Sequence, residues 1–92
     1  MRFDLQLFSE DAIEKQTSNQ LRKGIRNLKK KIAIHKYKIE HPWESYSDWF
    51  SEPQRQPGRI KHWQKEIENM EESIQNRIDE LEKRGEKYEQ KA

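Results

Sequence analysis

Apolar residues recur along this chain in two separate helical stripes. Leu21, Ile25, Leu28, Ile32, His35 and Ile39 follow one another in steps of four and three, and so do Ile60, Trp63, Ile67, Met70, Ile74, Ile78 and Leu81. Such a period places one apolar face on each of two helices, and two such faces separated by a connecting loop predict an all-α antiparallel two-helix hairpin. His35 is the polar member of the first stripe, and His62 stands near the start of the second helix. Both histidines therefore fall at the loop end.

Punctuation residues set the expected boundaries. Ser18 or Asn19 can cap the first helix, and Pro42, which disfavours helical backbone at His41, ends it near Glu40. Gly24 inside it costs roughly 1 kcal/mol relative to alanine. The second helix is expected from about Gly58 to Arg84, with Gly85 as its stop. Between them, His41 to Gly58 holds all three prolines together with Trp43, Tyr46, Trp49 and Phe50. A loop of this length is usually functional or disordered, and four aromatic residues argue against disorder. In residues 1–17, Phe3, Leu5 and Leu7 alternate with polar positions and Ile13 follows, which predicts an arm or a short docking helix. The organised domain is thus expected over 18–86, with a frayed tail over 87–92.

Charge divides the two helices. Ser18 to Glu40 carries eight basic residues against the single acid Glu40, or +7, whereas Gly58 to Gln90 carries seven basic and nine acidic residues, or −2. Opposite fields favour pairing of the helices, although each exposed ion pair contributes only about 0.2 to 1 kcal/mol. The surplus on the first helix, at Lys29, Lys30 and Lys36 among others, remains available to a partner. Its cations spread around the helix and match no DNA-reading motif, so nucleic acid is expected to be involved only indirectly.

Composition limits what such a fold can do. With 92 residues, 30% hydrophobic and 39% charged, the chain has little core to offset its conformational entropy. Packing of the loop aromatics, a bound metal, self-association or a partner must add stability. There is no cysteine, so no disulfide and no thiolate metal site is available. No apolar run approaches the roughly 20 residues of a membrane span and no signal-peptide pattern appears, so a soluble intracellular protein without a membrane partner is expected. Phosphate loops, nucleophile elbows and catalytic triads are likewise missing, and the protein is read as no enzyme.

Two features carry candidate chemistry. His62 and Glu66, four residues apart, share a face of the second helix, a spacing that lets an imidazole and a carboxylate ligate one cation. His35 lies at nearly the same height in an antiparallel pair, and Asp48, Glu44 or His41 can add a loop ligand. A zinc ion held by His35, His62, Glu66 and Asp48 would fasten both helices to the loop. The plainer alternative makes His35 a hydrogen-bonded seam residue and His62 with Glu66 a solvated pair. The aromatic set Trp43, Tyr46, Trp49 and Phe50 also has two readings, core over the hairpin end around Trp63 or an exposed contact patch. Both can hold for different members.

The opening MRFDLQLF is similar to the first residues of many virion proteins of tailed phages that infect Gram-positive bacteria. The body, LRKGIRNLKKKIAIHKYKIEHP, then DWF, then GRIKHWQKEIENMEESIQNRIDELEKRGE, resembles a family of small helical phage proteins encoded near head genes. The resemblance covers most of residues 18–86. That family's recurrent positions fall on His35, Pro42, Trp49, Gly58, His62, Trp63 and Glu66, which implies weight for the metal reading. In size and helical type the chain also resembles anti-CRISPR inhibitors of streptococcal phages. That resemblance implies a protein acting in the host cytoplasm, which inhibits a host Cas9-type nuclease by protein contact. DNA mimicry is disfavoured by a net charge of +2. The other function the resemblance admits is a virion assembly or head-associated factor that self-associates through its helices.

Overall fold

The computed structural model describes residues 10–88, which are mostly helical and contain no strand. A short helix α1 (Glu10–Lys15) precedes two long ones, α2 (Ser18–Glu40) and α3 (Gln56–Lys83). Single 3₁₀ turns at Pro42–Glu44 and Pro53–Arg55 lie in the segment joining the long helices. No described helix is long and apolar enough to cross a membrane. The alternating Phe3, Leu5 and Leu7 lie outside the described residues.

Each boundary has a local cause. The cap of α2 is Thr17, one residue before the serine and asparagine expected in that role. Its hydroxyl accepts from the Gln20 backbone N–H at 3.1 Å while the Gln20 side chain accepts from the Thr17 N–H at 2.9 Å, a reciprocal capping box. Glutamine three residues on makes threonine the better cap, and Ser18 is left to donate to Glu86 at 2.8 Å. Helix α3 begins at Gln56, two residues before Gly58, because Pro57 fits the first turn, where its missing N–H needs no partner. It stops at Gly85, whose φ of 84° suits glycine. There the Glu86 N–H reaches the Leu81 carbonyl and the Gly85 N–H reaches that of Glu82, both at 2.9 Å, the paired bonds of a Schellman stop.

The long helices pack side by side in opposite directions. Ser18 and Arg22 meet Glu86, Gly24 lies against Arg77, and His35 meets Glu66. Leu21, Ile25 and Ile32 of α2 are buried with Ile67, Ile74, Ile78 and Leu81 of α3, and Leu28, Ile39 and Met70 pack at their margin. Ile13 of α1 joins this core, where Arg84 ties α1 to α3 by donating to the Glu14 carbonyl at 3.1 Å and to the Glu80 carboxylate at 2.9 Å. Beyond the end of α3, Tyr88 packs against the core with Lys29 5.1 Å above its ring.

One core position departs from the stripe. Arg77 is 8% exposed, and its guanidinium donates through Nη1 to the carbonyl and hydroxyl of Ser73. Its Nε meets no acceptor among the described residues, and burial lowers its pKa. Gly24 makes the room, since a Cβ there would stand 3.0 Å from Arg77 Nε. The glycine that weakens α2 as a helix is thus the one that admits the arginine.

Candidate functional site

Three of the four predicted metal ligands come together where α2 faces the start of α3. His35 Nε2 lies 2.6 Å from one oxygen of Glu66, and His62 Nε2 lies 3.2 Å from the other. His35 Nδ1 sits 2.9 Å from the Lys31 carbonyl. Both ring nitrogens of His35 therefore face oxygen atoms, one of the backbone and one of Glu66. The hydrogen bond from His35, reinforced by the nearby charges of His62 and Lys38, holds the Glu66 carboxyl below the usual carboxylate range.

This geometry is a carboxylate bridging two imidazoles. The ring nitrogens meet separate oxygens of Glu66, and among the described residues no group of three or more histidine, aspartate or glutamate side chains that could hold a metal ion is found. Asp48 lies elsewhere. Arg59 grips it through two parallel bonds of 2.8 and 3.2 Å, which lower the Asp48 pKa and raise that of Arg59. Arg59 stands two helical turns from Glu66, about 10 Å of rise. The guanidinium thus engages both oxygens of the carboxylate expected as the fourth ligand. Glu44 is also engaged, accepting from the Tyr37 hydroxyl at 2.9 and 3.0 Å, and this bond raises the Tyr37 pKa.

The loop aromatics divide between the two readings. Trp49 and Trp63 are 7% and 5% exposed, and Tyr46 lies between Trp63, 5.6 Å away, and the Arg59 guanidinium, 3.8 Å above its ring. Gln56 fastens this end by donating to the Trp49 carbonyl at 2.8 Å. Trp43 and Phe50 point outward, 46% and 73% exposed. Sequence reasoning named both but not their companions. Tyr37 stacks on His41 at 4.2 Å, His41 meets Trp43 edge-on at 5.5 Å, and Trp43 stacks on Phe50 at 6.2 Å. Ile34, exposed one turn before Tyr37, extends the row.

Among the described residues the large exposed apolar side chains are Ile34, Tyr37, Trp43 and Phe50, and the ring contacts and helical spacing place them on one face. Isolated surface apolar residues need no explanation, whereas these four are gathered together. The signal for it was in the sequence: Lys30, Ile34, Tyr37 and His41 follow the same period of four and three as the core, on the opposite side of α2. Of the three lysines expected to meet a partner, Lys30 and Lys36 are exposed, whereas Lys29 lies over the Tyr88 ring. Compared with protein-family models, with curated proteins and with solved structures, the chain finds no match in any of the three.

Proposed function

We propose that this protein is a non-catalytic binding protein, a helical hairpin whose aromatic-rich loop end presents a protein-contact face. The observation that carries the reading is the gathering of Ile34, Tyr37, Trp43 and Phe50 on one exposed surface. Tryptophan and tyrosine dominate the energetics of protein interfaces. The rest of the loop stays folded through Trp49, Tyr46 and the Asp48–Arg59 pair, so the exposed rings are presented on a rigid base. A molecule 15 Å through its thinnest dimension is one helix layer thick, too thin to enclose a substrate, which supports binding over catalysis.

The partner expected from the resemblance is the effector complex of a host Cas9-type nuclease, inhibited by occlusion of a working surface in the host cytoplasm. The test is titration of a streptococcal Cas9–guide complex with the protein and with its Trp43→Ser/Phe50→Ser variant, alongside sedimentation of the protein alone. Binding lost in the variant at unchanged melting temperature supports inhibition by contact at this face. A protein that ignores the complex but dimerises through the same residues supports the virion assembly reading instead.

The convergence of His35, Glu66 and His62 favours one addition. A structural zinc would use these three side chains after the two hydrogen bonds give way to metal bonds, with water completing a tetrahedral shell. Elemental analysis with a melting curve before and after chelation tests this. About one zinc per chain and a chelator-induced fall in melting temperature support the ion, and no metal with no shift leaves the bridged carboxylate as the whole of the site.

A further inference from the structure

The outer face of α2 is longer than its aromatic end. Lys23, Arg26 and Lys30 continue the row of Ile34, Tyr37 and His41 back along the helix in steps of three and four, and all three cations are exposed. None of them forms an ion pair among the described residues, whereas Arg22 on the flank is paired with Glu86 at 3.0 Å. From Arg26 to Tyr37 is about 16 Å of helical rise. The face is therefore bipartite, cationic in its first half and apolar in its second, and the helix core lies on the other side.

We infer that this face receives a segment of a partner protein that is itself bipartite, with a cluster of acidic side chains about 16 Å from a cluster of apolar ones. The apolar cluster packs on Ile34, Tyr37 and Phe50, and the carboxylates meet Lys23, Arg26 and Lys30. This rests on the reading of the aromatic face as a protein-contact site and adds the chemistry of what binds it. Charge complementarity selects an acidic occupant, and the exposed rings select an apolar one at the other end.

Two other occupants fit less well. A single-stranded nucleic acid needs free ring faces on which to stack its bases, yet one face of Tyr37 is taken by His41, and Trp43 and Phe50 each give one face to the other. The Glu44 carboxylate, bonded to Tyr37, would also repel phosphates there. A second copy offers its acidic surface on α3, at Glu68, Glu72 and Asp79, where no large apolar side chain is exposed among the described residues. It therefore matches the cations and leaves the aromatic end uncovered.

The test is selection of a displayed library of random 18-residue peptides against the full-length protein. Selected peptides are then measured against wild type, Arg26→Glu/Lys30→Glu and Phe50→Ser. The expected result is enrichment of peptides with acidic and apolar clusters about ten residues apart in a helical peptide or about five in an extended one, the spacings that span about 16 Å. Charge reversal should weaken them roughly tenfold, the effect of two exposed ion pairs, and Phe50→Ser should weaken them too, with melting temperatures matched. Apolar peptides insensitive to charge reversal would overturn this inference while leaving the contact face standing. No enrichment would overturn both. Displacement of selected peptides by oligodeoxythymidylate, or binding masked by dimerisation in sedimentation, would assign the face to nucleic acid or to a second copy and likewise overturn the inference.

Discussion

Trp49 and Phe50 are neighbours in sequence with opposite surroundings, and replacing each by alanine separates folding from contact. Trp49 is 7% exposed, at the loop end that also buries Trp63, and Gln56 donates to its backbone carbonyl at 2.8 Å. Truncation of a buried tryptophan removes a large apolar surface and leaves a cavity, at a cost of about 3 to 5 kcal/mol. For a domain of this size each kcal/mol lowers the melting temperature by about 4 to 8 °C. Trp49→Ala should therefore fall by at least about 12 °C, a large share of the about 5 to 15 kcal/mol that holds small domains together. Phe50, 73% exposed, has little burial to lose, and Phe50→Ala should stay within about 0.5 kcal/mol of wild type. Urea and thermal unfolding followed by circular dichroism read both variants. A Trp49→Ala protein within about 1 kcal/mol of wild type, or a Phe50→Ala protein as unstable as Trp49→Ala, would refute the division of the loop into core and contact residues.

Further outcomes follow from single contacts. Thr17→Ala removes one half of the capping box and should cost about 1 kcal/mol in urea unfolding; no loss would mean that Ser18 or Asn19 takes over the cap. Arg77→Met replaces a buried guanidinium whose Nε has no acceptor with an apolar chain of similar reach, and stability should hold or rise. A loss above about 2 kcal/mol would show that the guanidinium anchors the helix pair. Asp48 and Glu66 both have folded pKa values below their ordinary ones, through bonds to Arg59 and His35. Such groups stabilise the fold above the ordinary carboxylate pKa, and that contribution disappears as pH falls through the depressed values. Melting temperature should therefore drop with acid below the ordinary carboxylate range, and Asp48→Asn should flatten part of that slope. An unchanged slope in Asp48→Asn would remove the Arg59 pair from the acid response.

The two apolar stripes were legible in the sequence because burial on one helix face forces the heptad spacing, and the helix ends at Pro42 and Gly85 follow from backbone chemistry. The proximity of His35, His62 and Glu66 followed from the same register. The surroundings of Asp48 were not legible, because a loop carboxylate has no periodicity to fix its direction; in the structure Arg59, one turn before His62, pairs with it. Arg77 was hidden for the opposite reason: it sits beside a good apolar stripe, and only the space above Gly24 explains its burial. Which aromatic residues face inward depended on how the loop folds, which residue types alone do not encode. The outer row from Lys23 to His41 was readable by the same arithmetic as the core, but its first half is charged and does not register as an apolar stripe.

The central claim is that the outward rings form the contact face while the inward ones hold the fold. Hydroxyl-radical footprinting of the protein, free and bound to a streptococcal Cas9–guide complex, tests it most directly. The account predicts that Tyr37, Trp43 and Phe50 react when the protein is free and are protected when it is bound, while Trp49 and Trp63 stay unreactive in both states. A bound complex in which Tyr37, Trp43 and Phe50 react as before, or no complex at all, would contradict it.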